Sequence, residues 1–351
     1  MKIIFDNIIF TIQKWGGISV YWNELLKRIP IQEAMTLRLK RPNKSYQKNL
    51  NNFKTLSDCS YSFKTIERYL NPYPEIQEKH IFHSSYYRTS KNNKSVNITT
   101  VHDFTYETHN TGIKRIIHKT QKVNALKSSD GIICISKYTR DLMYMLYPFT
   151  RSKNVIVIYN GISNSFFKSK KAKNKIISFN ERDYILYIGD RKAKYKNFKF
   201  ACRLMSETKK KFVIVGGGDL SFEEKKLLNQ IEYKHFPFVS ESSLISIYKN
   251  AFALLYPSES EGFGIPIIEA QSLKCPVISL NQTCIPEISN GHALLFDKLK
   301  INDFLDGINR IKNDEFRSEL CDYGLKNSLK FSWNNTYNQT IDFYKKMYNI
   351  Y

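Results

Sequence analysis

The chain has 351 residues, is 42% hydrophobic and 25% charged, and carries a formal net charge of +22. That is room for two domains of ordinary size, each with its own core. No run approaches the roughly 20 apolar residues of a spanning helix, the start MKIIFDNIIFTIQKW has Asp6 inside its apolar run and no small-residue cleavage site, and the cysteines form no C-x-x-C pair, so the expectation is a cytosolic protein with reduced thiols and no resident metal.

The charge is uneven. Residues 1–180 hold 30 Lys and Arg against 11 Asp and Glu, whereas residues 181–351 hold 24 against 21. An AT-rich coding sequence explains abundant Lys but not this asymmetry. A cationic first half attracts polyanions, either nucleic acid or an anionic membrane leaflet.

In chain order, residues 2–10 read as a strand and turn. Gly16 and Gly17 follow Trp15, and Ile18, Tyr21, Trp22, Leu25, Leu26 and Ile29 then recur at helical spacing. Paired glycines before a helix let backbone amides approach a phosphate, and equally make a plain tight turn. Residues 36–95 alternate short strand-like pieces with Lys-, Asn- and Ser-rich connections, with a short helix over 66–73 stopped by Pro72 and Pro74. Tyr61, Phe63, Tyr69, Tyr73, Tyr86 and Tyr87 interleave there with Lys and Arg. Such aromatics fill a core or, where exposed, suit a membrane interface or a glycan. Residues 96–101 read as a strand that puts His102 and Asp103 at its carboxyl end, where open parallel sheets bind ligands. A basic helix over 113–128, a buried strand over 131–136, a helix over 138–147 and a strand over 155–159 lead to Asn160-Gly161, and residues 168–175 read as a solvated linker.

The second half opens with a strand over 184–188, then Gly189-Asp190-Arg191, with Lys196 five residues past Arg191. An Arg and a Lys at a strand end can neutralise a diphosphate. A strand over 212–215 precedes Gly216-Gly217-Gly218-Asp219, which lacks the G-x-G-x-x-G spacing of a dehydrogenase. A helix over 242–250 leads into the densest stretch, AFALLYPSESEGFGIPIIEAQSLKCPVISLNQTCIPE over 251–287. A buried strand over 252–256 ends at a loop over 258–264, and Pro266 marks a helix starting near Ile265. Helix amides reached through Gly262 and Gly264 make an anion site, and Glu261 and Glu269 flank it. Carboxylates pair with hydroxyls, so the stretch suits a nucleotide sugar. Beyond it come a strand over 276–280, Glu287 in a loop, a strand over 293–296 and a last helix through Tyr344.

The segment EGFGIPIIEA followed by CPVIS and IPEI resembles the signature of the retaining glycosyltransferases of family 4 (glycosyl transferases group 1). TTVHDFTYE, SDGIICISKYTRDLM, VIVIYNGI and YIGDRKAKYKNF resemble further motifs of that family, covering most of the chain. The resemblance implies an α/β chain of the GT-B fold, two Rossmann-like domains facing each other across a central cleft. An acceptor domain would span 1–165, with the helix of 333–351 returning to it, and a nucleotide-sugar domain would span 176–332. It implies Glu261, His102, Arg191 and Lys196 as catalytic residues. Gly16, Gly17, Arg191, Lys196, Gly262, Phe263, Gly264, Ile265 and Glu269 would hold the donor, and Asp103, Tyr86 and Ser136 the acceptor. The family uses no metal for catalysis and no cofactor beyond its nucleotide diphosphate sugar. YKNF leans toward GDP-mannose, with UDP- and dTDP-sugars as alternatives. With the uneven charge, the expected acceptor is a glycan, lipid-linked on undecaprenyl diphosphate, at an anionic inner leaflet. The expected process is O-antigen, capsule or lipooligosaccharide synthesis, with no nucleic-acid partner. Two other readings stand beside it: an epimerase or phosphorylase of the same fold, and a basic nucleic-acid binder.

Overall fold

The computed structural model describes residues 1–13, 16–38, 53–58, 67–109, 111–168 and 177–351. Trp15, Cys59, Tyr61, Phe63 and most of the expected linker of 168–175 lie outside the described residues. The chain forms two compact units, Met1–Gly161 with Trp333–Tyr351, and Ile162–Ser332.

The first unit is built on seven strands: β1 (Lys2–Asp6), β2 (Ala34–Arg38), β3 (Lys54–Asp58), β4 (His80–His83), β5 (Ser95–Val101), β6 (Gly131–Cys134) and β7 (Asn154–Val157). They pair in the order β3-β2-β1-β4-β5-β6-β7, all parallel. A parallel sheet covered on both faces needs strands apolar on both sides. Consecutive residues Ile132 and Ile133 of β6 enter different clusters accordingly. Ile133 joins Phe5, Trp22, Leu25 and Ile81, together with Phe343, Tyr344 and Met347 of the terminal helix Trp333–Ile350. Ile132 joins Val101, Leu126, Met143 and Tyr147. Two local expectations change. The strand of 2–10 ends at Asp6, and a helix Ile9–Ile12 replaces the turn, because Asp6 Oδ1 accepts from Ile8 N (3.3 Å) and Ser85 Oγ from Ile9 N (3.1 Å). Where a short helix was expected over 66–73, only a 3-10 turn Glu67–Tyr69 is described.

The second unit holds β8 (Tyr184–Ile188), β9 (Lys211–Val215), β10 (Tyr233–Phe236), β11 (Ala253–Tyr256), β12 (Val277–Leu280) and β13 (Leu294–Phe296) in the parallel order β10-β9-β8-β11-β12-β13. β8 and β11 are adjacent, with Ala253 opposite Ile185 and Leu254 opposite Leu186. Strand order reverses between them, and the crevice beyond the carboxyl ends at such a switch point is where this architecture binds ligands. Glu287 is not in a loop: it lies in the short helix Ile285–Ser289, opened by Pro286 in its first turn and closed by Asn290 in the left-handed conformation. Among the described residues no helix is long and apolar enough to cross a membrane.

Candidate functional site

Three loops of the second unit leave neighbouring strands β9, β8 and β11, and their side chains interlock. The loop after β8 ends in the 3-10 turn Lys194–Lys196. Backbone ties hold it to the loop after β11: Glu259 N donates to Tyr195 O (2.9 Å) and Asn197 Nδ2 to Pro257 O (3.0 Å). Lys196 Nζ then donates to Tyr256 Oη (3.1 Å) and pairs with the Glu261 carboxylate. Lys196 and Glu261, proposed from separate stretches of sequence, are direct partners, with side chains 15% and 12% exposed. A nearly enclosed ion pair can exchange partners when an anion arrives, because the lysine is compact and its stem flexible.

Beyond Glu261 the chain turns into the helix Ile265–Ser272 through Gly264, at φ 84° and ψ 51°. That left-handed conformation favours glycine, and it opens the helix with Pro266 in its first turn and Ile267 N donating to Gly264 O (3.0 Å). Ile267 and Ile268 are fully buried and anchor the helix, and Phe263 is buried with its ring edge-to-face on Phe331 at 5.8 Å. Gly262 and Ile265 are partly exposed. One turn inside, Glu269 Oε2 accepts from Tyr248 Oη (2.9 Å). Burial pushes the Glu269 carboxyl up to about 7 against that hydrogen bond, and Glu241 adds to the rise.

Arg191 lies in the loop that follows β8. Its guanidinium is turned inward: Nε donates to Glu224 Oε1 (2.9 Å), Nη1 to Gly216 O, and Nη2 to Gly218 O (2.9 Å) and Asp219 O (3.1 Å). A side chain committed to carbonyls of the loop after β9 shapes that loop. A Cβ on Gly217, at φ +75°, would stand 2.6 Å from Arg191 Nη1, so the turn and the guanidinium are fitted to each other.

In the first unit, the candidates lie beyond the carboxyl ends of β1, β4, β5 and β6. Gly16 has extended backbone (φ 173°) and precedes the helix Gly17–Leu26; a Cβ on Gly17 would meet nothing within 4 Å, which leaves the backbone there open to approach. His102 is buried against the edge of Tyr21, with centroids 5.0 Å apart. Burial pushes its imidazole down to about 4 against the pull of Asp103, with Lys122 adding to the push, so the ring is neutral near pH 7. Two acceptor candidates also have local tasks. Asp103 Oδ1 accepts from Thr105 N (2.9 Å) at the start of the helix Thr105–His109. Ser136 is fully buried and caps the helix Lys137–Leu146 by accepting from Thr139 N (3.0 Å). Tyr86 Oη accepts from Arg68 Nη2 (2.7 Å), and the guanidinium also lies 4.7 Å from the Tyr86 ring.

Sequence reasoning missed a buried set beside His102. Lys122 Nζ donates to Asp103 O (2.8 Å) and Glu107 Oε2 (2.9 Å), while His118 stacks on Tyr106 at 4.0 Å with Nδ1 3.9 Å from Glu107 Oε1. A signal was available: His118, Lys122, Ala125 and Leu126 share one helical face, so two basic residues sit among core positions. Tyr248 and Tyr256 carried no such signal, since a tyrosine in an apolar run reads as core. Among the described residues, no three His, Cys, Asp or Glu side chains converge as a metal site.

Comparison with known proteins fits this geometry. Residues 168–331 match the family model described as Glycosyl transferases group 1. Over 98% of its length and 100% of the relative's, the chain is 26% identical to the O-antigen chain mannosyltransferase B of Escherichia coli. It is also 26% identical to the O-antigen chain mannosyltransferase RfbU of Salmonella typhimurium, over 58% of this chain and 56% of that one. Among solved structures, sucrose-phosphate synthase from Thermosynechococcus elongatus superposes with a TM-score of 0.76 at 14% identity, covering 100% of both chains. HepE of Anabaena, solved in complex with UDP-glucose, gives 0.73 at 12%, covering 99% of this chain and 100% of that one. Those identities speak for the fold alone, and the family match speaks for the second half: the chain has the GT-B fold, and its residues 168–331 are similar to the glycosyl transferases group 1.

Proposed function

We propose that the chain transfers a hexose, mannose above others, from a nucleotide diphosphate sugar to a glycan acceptor during synthesis of a bacterial surface polysaccharide, with retention at the anomeric carbon. GDP-mannose is the favoured donor and an undecaprenyl-diphosphate-linked glycan the favoured acceptor. The mannosyltransferase relatives support the sugar, and the family resemblance supports retention. The observation that carries the reading is the convergence of Lys196, Tyr256, Glu261 and the start of the helix Ile265–Ser272 beyond β8 and β11.

Transfer breaks the bond between the anomeric carbon and the diphosphate oxygen, so negative charge grows on the departing group. Lys196 Nζ leaves the Glu261 carboxylate for that charge, and the helix amides around Gly264 and Ile265 face it from the other side. Glu261, released, accepts from hydroxyls of the transferred sugar, and Glu269 accepts from the ribose. Arg191 acts at one remove, holding the Gly216–Asp219 turn in shape. His102, a neutral imidazole, serves the transferred sugar as a hydrogen-bond partner. The first unit carries the acceptor, and its positive charge draws the protein to an anionic inner leaflet.

Incubation of the purified protein with GDP-mannose and a mannose-terminated lipid-linked acceptor should yield a new α-glycosidic bond, identified by NMR of the product. Lys196→Ala should lower kcat about 100- to 1000-fold with the fold intact by circular dichroism. Free mannose phosphate or an epimerised nucleotide sugar in place of a glycoside would overturn the reading.

A further inference from the structure

The helix Ile113–Ser128 is amphipathic the wrong way round at its start. Its inward face carries His118 and Lys122, which are buried. Its outward face carries Ile113, Ile116 and Ile117, which are 72%, 63% and 42% exposed. Spacings of three and four residues set these isoleucines side by side over the first two turns. Further along, the same face returns to Thr120, Asn124 and Lys127, all exposed. Water gains nothing from three adjacent isoleucines, and a contiguous exposed apolar patch marks an interaction surface.

The charge around the patch says what it meets. The helix, IKRIIHKTQKVNALKS, contains no Asp or Glu, so no side chain of its own offsets the positive end of its dipole. Arg115 and Lys119 are exposed beside the isoleucines. Tyr106, 39% exposed, lies flat on His118 at 4.0 Å and borders the same end of the helix with a polar tip. A soluble protein partner with an acidic rim would satisfy the basic residues, but aliphatic side chains ringed by cations and an amphipathic tyrosine fit the boundary between lipid headgroups and acyl chains, where each component has its medium.

We infer that the first two turns of the helix Ile113–Ser128 are the element that docks this chain on an anionic lipid surface, with Ile113, Ile116 and Ile117 entering below the headgroups and Arg115 and Lys119 pairing with lipid phosphates. The inference deepens the inner-leaflet part of the proposed function and rests on it only there; it does not depend on the donor or on the sugar transferred. It also differs from diffuse attraction by net charge, since it localises binding to one helix end and requires apolar contact.

The test is flotation of the full chain with vesicles of phosphatidylcholine containing phosphatidylglycerol, against phosphatidylcholine alone, at low and high salt. Wild type should float with the anionic vesicles and be partly released by salt. Ile116→Asp with Ile117→Asp should lower the vesicle-bound fraction about tenfold, and Arg115→Glu with Lys119→Glu about as much. Both double variants alter exposed side chains and should keep wild-type melting and wild-type transfer to a short water-soluble acceptor. That assay separates failure of docking from failure of the transferase reading. Flotation of the isoleucine variant like wild type overturns the inference, as does equal binding of wild type to neutral vesicles. A wild-type dimer in solution that the isoleucine change converts to monomer, with no flotation of either, assigns the patch to a second copy and overturns it too.

Discussion

Glu269 shows how much of a site residue's chemistry depends on its surroundings. With Tyr248 Oη at 2.9 Å and burial raising its carboxyl to about 7, it is protonated in the folded chain at pH values where the unfolded chain has it ionised. A pKa raised by folding contributes stability that is complete below the ordinary value near 4.5 and lost as pH rises through about 7. Glu269→Gln cannot ionise, so its melting temperature should exceed wild type by about 2–4 °C at about pH 8 and match it at about pH 5. An equal difference at both pH values would show that packing, not ionisation, sets the effect. The glutamate itself was legible in EGFGIPIIEA because its distance from Gly264 along a helix is fixed. Its titration was not, because the burial that raises it comes from elements distant in sequence, the helix Glu241–Asn250 among them. Arg191 makes the complementary case: its spacing from Lys196 was readable, but whether its guanidinium faces a ligand or the carbonyls of Gly216, Gly218 and Asp219 is decided by a loop that sequence does not position.

At the scale of elements, the end of β1 is tied to the loop after β4 through one carboxylate. Asp6, fully buried, accepts from Ser84 Oγ (2.6 Å), Ser85 Oγ (2.5 Å), Ser85 N (3.0 Å) and Ile8 N (3.3 Å), and from Arg88 through Nη2 (2.6 Å) and Nε (3.1 Å). Burial alone would raise its pKa, but Arg88 and the two serines outweigh it and hold the carboxyl below its usual value. The stabilisation is therefore present above the ordinary value of 3.8 and lost as pH falls through the lower folded one. The knot fixes where β1 hands over to the helix Ile9–Ile12, and so the approach to Gly16 and Gly17. Asp6→Ala leaves Arg88 buried beside an absent partner and should cost about 3–5 kcal/mol in urea denaturation; a loss below about 1 kcal/mol would reject the account. In sequence, Asp6 showed only as a polar break in an apolar run. A period-two or period-3.6 pattern reports which face a residue takes, and the partners here lie at positions 84–88, brought close by β1 pairing with β4 in parallel register.

For the molecule as a whole, alternating strands and helices made two α/β halves legible, since parallel strands buried on both faces read as apolar runs. The motif-bearing loops could be placed because each follows such a run. What periodicity does not report is that one unit is discontinuous in sequence. The helix Trp333–Ile350 contributes Trp333, Phe343, Tyr344 and Met347 to the same core as Phe5, Trp22 and Ile81, and His83 shares a hydrogen bond with Tyr344 Oη. Removing one large buried side chain costs about 2–5 kcal/mol, and a whole domain is stable by only about 5–15 kcal/mol. Residues 1–332, with that helix deleted, should therefore lose cooperative melting of the first unit. The contiguous segment Ile162–Ser332, which keeps Lys196, Glu261 and Glu269 and its own core, should fold alone and bind GDP measurably by calorimetry. Two transitions by scanning calorimetry in the full chain, of which only one survives the deletion, is the expected result. Unchanged melting of 1–332 would show that the terminal helix is dispensable for the core it enters, and an unfolded 162–332 would show that the second unit does not fold independently.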